Sequence, residues 1–300
     1  MASSRSNLRN KVEDTAVGLF LDLLGRVDAE RADAFGRALG GVARLVLAGR
    51  RRLGERNIAR AYPEKTPAEV KALSREVWAH FGGLFANLLR DARRPISDLL
   101  ARIEFVGEEN LHAAAARGRG FFFLTAHLGN WEMAALAVAE RGCPLLVVAR
   151  PLDNPLLETR MRSFREAAGS RVVPKNESAR AMLRTLRDGG AVGILPDQHV
   201  RPPDAVVVPF FGRPAWTTTA VARLVARTGA LVLPTFCTRV GPDRWQTEFH
   251  PPLDVSALPE EERTVEAVTA RVSRILEERI RRTPEQWLWL HNRWRVDRGG

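Results

Sequence analysis

The residue order predicts an α/β protein in which a mixed, largely parallel central sheet is flanked by helices and preceded by a helical N-terminal extension. From residue 103 onward, short apolar runs alternate with segments of helical period, and that alternation builds a sheet covered on both faces. Upstream, apolar residues recur only at the three- and four-residue steps of helices. The chain therefore divides into a helical region, 1–100, and an α/β region, 101–300.

The first helix is marked by Leu8, Val12, Ala16, Leu19, Phe20, Leu23, Leu24 and Val27. Phe35, Leu39, Val42, Val46 and Leu53 continue the period in a second helix that runs into Arg50-Arg51-Arg52. A third helix has a defined start, with Thr66 placed to cap, Pro67 suited to the first turn and Glu69 completing a capping box. Its apolar face is Val70, Leu73, Val77, Phe81, Leu84 and Leu88. Such faces serve either a bundle packed on the main domain or a membrane surface, where apolar stripes flanked by arginines bind. Strands are expected at 103–106, 120–125, 145–149, 171–173, 191–195, 206–210 and 230–238, with an antiparallel addition at 244–249. Helices are expected between them at 108–116, 131–140, 155–168, 178–187 and 217–227, and a long amphipathic helix at 260–280.

Composition narrows the function classes. Three hundred residues with 45% hydrophobic content support a sizeable core. The net charge is +11, and all but Lys11, Lys65, Lys71 and Lys175 of the 46 basic residues are arginine. The guanidinium fork suits phosphate and carboxylate partners. Nucleic acid is not expected, because no helix-turn-helix, zinc or RNP-type pattern is present and the arginines are spread along the whole chain. Neither a Walker A loop nor GxGxxG follows any strand. Cys143 and Cys237 are too few for a disulfide framework or zinc site, and the histidines lack metal spacing. No uncharged run reaches the roughly 18–20 apolar residues of a spanning helix, so peripheral attachment is expected.

The chemistry concentrates at His127-Leu128-Gly129-Asn130-Trp131-Glu132, directly after the uncharged run GFFFLTA. His127 falls where strand gives way to helix, the place where open α/β sheets put their active residues. A neutral imidazole there can take a proton from a hydroxyl, and a carboxylate nearby can set its tautomer. Five positions on a continuous helix would leave the two side chains about 140° apart at ~3.6 residues per turn. The loop 128–130 lets them turn toward each other. Glu132 reads alternatively as a first-turn acid complementing the helix dipole.

Thr125 through Glu132 resembles the H-x4-D/E signature of the bacterial lipid A secondary acyltransferases, which add lauroyl or myristoyl chains to lipid A precursors and include the related phosphatidylinositol mannoside acyltransferases. Further blocks resemble theirs in the same order: Val148-Ala149-Arg150-Pro151 with Asn154, Pro196-Asp197-Gln198, residues 208–215 (VPFFGRPA), and residues 284–289 (PEQWLW) with Arg293-Trp294. The likeness covers about 50–295, and His199 departs from the pattern.

The resemblance implies a glycerolipid-acyltransferase-like fold and transfer of an acyl chain from a thioester to a glycolipid hydroxyl. His127 would be the base and Glu132 its support. Asn130, Arg150, Asp197, Phe211 and Gly212 would contact substrate: Arg150 through a phosphate or the donor, Asp197 by orienting an arginine or the acceptor, and the Phe211-Gly212 loop beside the acyl channel. No metal or cofactor is implied. The donor would be acyl carrier protein or coenzyme A thioester, and the acceptor an anionic lipid at the cytoplasmic face of the inner membrane. Trp287, Trp289 and Trp294 with Arg293 and Arg295 suit either an interfacial belt or a cover over the sheet's end.

Overall fold

Helical period near the N-terminus resolves into five helices, α1 (Asn7–Gly25), α2 (Ala29–Val46), α3 (Ala48–Ala61), α4 (Pro67–Asp91) and α5 (Ile96–Leu100). The computed structural model describes residues 7–92, 94–151, 153–174 and 177–295. In the first helix, the expected contacts of Leu8, Ala16, Phe20 and Leu23 lie outside the described side chains. The expected second helix is two helices. Leu47, at φ −89° and ψ 57°, leaves helical backbone and starts α3 in a new direction. The capping box of α4 forms as the spacing requires, with Thr66 Oγ1 accepting from the Glu69 N–H and Glu69 accepting from the Thr66 N–H at 2.7 Å.

α2 packs on α4 through its smallest residues. A Cβ on Gly40 would stand 2.1 Å from the Trp78 carbonyl oxygen, and one on Gly82 the same distance from that of Gly36. Backbone therefore meets backbone, and the large apolar residues of α2 are turned outward. Phe35, Leu39, Val42, Leu45 and Val46 are 45% to 73% exposed.

The α/β region runs β1 (Ile103–Val106), α6 (Glu108–Ala116), β2 (Phe121–Leu124), α7 (Trp131–Glu140), β3 (Leu145–Ala149), α8 (Pro155–Glu166), β4 (Arg171–Pro174), α9 (Ser178–Arg187) and β5 (Ala191–Ile194). A hairpin follows, β6 (Ala205–Phe210) and β7 (Arg213–Thr218), then α10 (Ala220–Thr228), β8 (Leu231–Gly241), β9 (Arg244–Phe249) and α11 (Val265–Arg282). Seven strands form one sheet in the order β1-β9-β8-β2-β5-β3-β4, parallel throughout except for β8 against β9. The mixed, largely parallel sheet is thus as the alternation predicts. β2 (FFFL) is buried on both faces, which is why it reads as an unbroken apolar run.

Two expectations need correction. Thr217 does not begin the helix expected at 217–227, because 213–218 pairs with 205–210 as β7 and Thr217 becomes a buried strand residue. The last long helix starts at Val265, capped by Thr264, after a separate 3₁₀ turn at Glu260–Arg263. One hydrophobic cluster runs from Ile58 on α3 and Val77 and Leu84 on α4 through β2, β5 and β8 to Leu276 on α11.

Candidate active site

Strand register brings the central pair together. β2 and β5 are parallel neighbours with Leu124 opposite Ile194, and each chain leaves the sheet at its C-terminal end. His127 and Asp197 each lie three residues beyond those paired positions, so their loops emerge side by side. The His127 Nδ1–H donates to Asp197 Oδ1 at 2.8 Å, and the His127 backbone N–H donates to Oδ2 at 2.9 Å. The indole N–H of Trp287 also donates to Oδ2, at 2.8 Å. Asp197 is 1% exposed and both its oxygens are taken. The expectation that Asp197 orients an arginine or the acceptor is corrected: it orients His127.

Electrostatics agree with this geometry. Burial would by itself lower the His127 pKa, but the charge and hydrogen bond of Asp197, with a smaller pull from the Glu132 charge, raise it above 6.5. Burial pushes Asp197 upward, yet His127 and the Trp287 N–H hold it below the ordinary carboxylate value. With its hydrogen on Nδ1, the imidazole presents an Nε2 lone pair. Nε2 has no partner among the described residues, and the side chain is 23% exposed.

The carboxylate expected to support His127 directly is engaged elsewhere. Glu132 Oε1 accepts from Arg165 Nη2 at 2.6 Å and Oε2 from Arg165 Nε at 3.0 Å, with the Trp131 indole N–H at 3.3 Å from Oε1. Glu132 lies in the first turn of α7 facing α8, so its influence on His127 is through charge alone. Asn130 is likewise committed. Its side chain caps α7 by accepting from the Met133 N–H at 3.1 Å, and its own N–H donates to the Cys237 carbonyl, so the buried residue holds the start of the helix.

Gly129 shows why the loop is so short. It adopts φ +60°, and a Cβ there would lie 1.9 Å from the Cys237 carbonyl oxygen on β8. The loop rests directly on that strand.

A C-terminal strap completes the site. The Gly129 N–H donates to Gln286 O, the Leu288 N–H donates to His127 O, and Leu128 bridges Trp287 in antiparallel fashion. Of the two expectations for the tryptophans, a cover over the sheet's end fits and an interfacial belt does not, because all three are buried: Trp287 and Trp289 meet edge to face at 4.6 Å, and Trp294 stacks on Trp289. Arg293 is buried too, donating to the Trp216 carbonyl and to Thr217 Oγ1, its pKa pushed down to about 10 by burial. Asn57 on α3 holds the strap in place by donating to the carbonyls of Trp289 and His291 at 2.8 and 2.7 Å.

The remaining expected residues are more distant. Arg150 ends β3 with its side chain 86% exposed, 3.6 Å from Asp153. Phe211 sits at the β6–β7 turn with φ +51° and buries its ring against Tyr62, Trp287, Trp289 and Trp294. Gly212 follows at φ +67°, with open space around it, so it forms the turn and brings no backbone close to a ligand. No sequence signal assigns a role to His291, and Trp287 reads as either an interfacial aromatic or part of a cover over the sheet's end. The signal available was the resemblance of the C-terminal block, which gave no contacts.

An imidazole fixed by a buried carboxylate, its free nitrogen open at the C-terminal edge of a parallel sheet, is an arrangement able to take a proton from a hydroxyl. The chain matches the family described as bacterial lipid A biosynthesis acyltransferase over residues 8–296, and it belongs to that family; it is an acyltransferase. It is 27% identical over 249 residues to a phosphatidylinositol mannoside acyltransferase of Mycobacterium tuberculosis, covering 81% of this chain and 76% of the other. It is 26% identical over 272 residues to the lipid A biosynthesis lauroyltransferase of Escherichia coli, covering 87% of this chain and 84% of that one. A 1-acyl-sn-glycerophosphate acyltransferase structure from Thermotoga maritima overlays with TM-score 0.40 and 13% identity, over 91% of this chain and 98% of that chain.

Proposed function

We propose that this acyltransferase moves a fatty acyl chain from an acyl carrier protein or coenzyme A thioester to a hydroxyl of a membrane glycolipid. A lipid A precursor is the first acceptor in this reading. The similar likeness to a phosphatidylinositol mannoside acyltransferase makes that lipid the second. The 2.8 Å contact between His127 Nδ1 and Asp197, with Nε2 left open, carries the reading. Nε2 removes the hydroxyl proton as the oxygen attacks the thioester carbonyl and the C=O electron pair moves onto oxygen. Asp197 stabilises the imidazolium. Collapse reforms the carbonyl and breaks the C–S bond, and the departing thiolate takes the proton back from His127.

The protein works peripherally at the cytoplasmic face of the inner membrane. Among the described residues no helix is long and apolar enough to cross a membrane. The exposed apolar residues of α2, with Phe85 of α4 also exposed and Arg50, Arg51 and Arg52 at the start of α3, have the composition of an interfacial surface. The net charge of +11 favours anionic headgroups.

The test incubates purified protein with dodecanoyl thioesters and each acceptor in mixed micelles and reads the acylated lipid by mass spectrometry. His127→Ala should abolish transfer with the far-UV spectrum unchanged. Turnover near the unsubstituted rate in that variant removes His127 as the base.

A further inference from the structure

The strap that supports the dyad carries a second imidazole, His291, whose two nitrogens have different environments. Nε2 accepts the backbone N–H of His199 at 3.0 Å, which places the ring hydrogen on Nδ1. Nδ1 has no acceptor among the described residues, and the half-buried residue is not sealed from solvent. The backbone that carries the ring is held on both sides. Its own carbonyl and that of Trp289 are held by the Asn57 amide, and the Arg50 guanidinium holds the Leu290 carbonyl at 3.2 Å.

Its charge state suits a donor. Burial, offset only in part by Asp197 and reinforced by His127, Arg293 and His199, lowers its pKa to about 4. His199 stands two positions after Asp197, and Leu288, three before His291, donates its N–H to the His127 carbonyl, so His291 borders the dyad. The two imidazoles thus differ in charge state. The pKa of one is raised for proton transfer, while the other stays neutral with its N–H available.

We propose that the Nδ1–H of His291 donates a hydrogen bond to the thioester carbonyl oxygen and stabilises the negative charge that develops there when the acceptor hydroxyl attacks. No proton leaves His291. The C=O electron pair moves onto oxygen as the new C–O bond forms, the N–H···O⁻ contact shortens, and the pair returns as the C–S bond breaks. Preorganised donors of this kind act on the transition state more than on bound substrate. This inference rests on the acyl-transfer reading above.

Two amide substitutions separate donor from brace. His291→Asn places an amide near the position of Nδ1 and abandons the His199 contact. His291→Gln places one near Nε2, keeps an acceptor for the His199 N–H, and has nothing at Nδ1. Each variant, with His291→Ala, is assayed with dodecanoyl-coenzyme A and dodecanoyl-acyl carrier protein against a lipid A precursor, and thermal unfolding is recorded.

We expect the Gln and Ala variants to lose roughly 10²- to 10³-fold in kcat, with KM for the donor nearly unchanged. The Asn variant should stay within about tenfold of the unsubstituted enzyme, a fraction of that loss. Near-normal turnover in the Gln variant, equal losses in Asn and Gln, or a rise in KM with kcat held would each overturn the donor role while acyl transfer by the unsubstituted protein stands. Absence of transfer by the unsubstituted protein from both donors overturns the acyl-transfer reading, and this inference with it.

Discussion

His127 is held by a carboxylate seventy positions away, and the pH behaviour expected of it as a base follows. A base must be neutral to accept a proton. Because its pKa is raised above 6.5, His127 stays protonated to higher pH than an ordinary histidine, and kcat/KM should fall as pH drops through a midpoint above 6.5. Asp197→Asn removes the largest upward influences and leaves the burial that opposes them, so the midpoint should move down. An amide facing Nδ1 also favours the tautomer with hydrogen on Nε2, so kcat should drop by roughly 10³–10⁴. Glu132→Gln, which acts on His127 through charge alone, should shift the midpoint much less. A pH–rate series on the two variants compares them directly, and a larger shift in the Glu132 variant would reverse the assignment.

At the scale of elements, the loop between β2 and α7 and the outward face of α2 carry the consequences. Gly129 holds the catalytic loop against β8 in a conformation that costs a side chain about 1–3 kcal/mol before any clash is counted. Gly129→Ala should lower Tm, and it should lower kcat by at least an order of magnitude because the loop must lift from Cys237 and lose its bond to Gln286. Unchanged Tm and kcat would show that the loop has room to spare. α2 makes a separate prediction. Leu39→Asp with Val42→Asp changes exposed positions only, so Tm should hold within about 1 kcal/mol of stability. Flotation with anionic vesicles should be lost in that double variant. Vesicle binding at unchanged strength would take α2 out of the membrane contact.

Across the whole molecule, the helical region and the sheet share one core and a buried polar link. Asp33 on α2 pairs with Arg239 on β8 through bonds of 2.6 and 2.7 Å. The Arg239 backbone exchanges hydrogen bonds with the Gln286 side chain, and the backbone carbonyl of Gln286 receives the Gly129 N–H. Breaking such a buried ion pair from one side leaves the other charge unpaired. That is a physical reason for α2 to keep a fixed orientation, small residues inward and apolar residues outward.

Local signals were legible wherever the cause is local. The capping box at Thr66 and Glu69 formed as spaced, the apolar run 120–125 became the central strand, and the H-x4-E segment marked the strand-to-helix turn. Leu47 escaped notice because nothing in its residue type breaks a helix. β7 is not legible because Pro214 is a poor strand residue and the row of threonines reads as the start of the helix at 217–227 until paired with β6. The partner of His127 escaped for a different reason. Glu132 was near in sequence, whereas Asp197 becomes near only when β5 lies beside β2 with Leu124 opposite Ile194.

The chain by itself determined its elements, its α/β class and the residue that can serve as base, because periodicity, caps and turns depend on neighbours in sequence. Tertiary structure alone decided that Asp197 orients that base, that Glu132 belongs to Arg165, and that the strap from Gln286 to Arg293 frames the site. Strand order and register are set by the packing of the whole core, and no spacing along the chain encodes them.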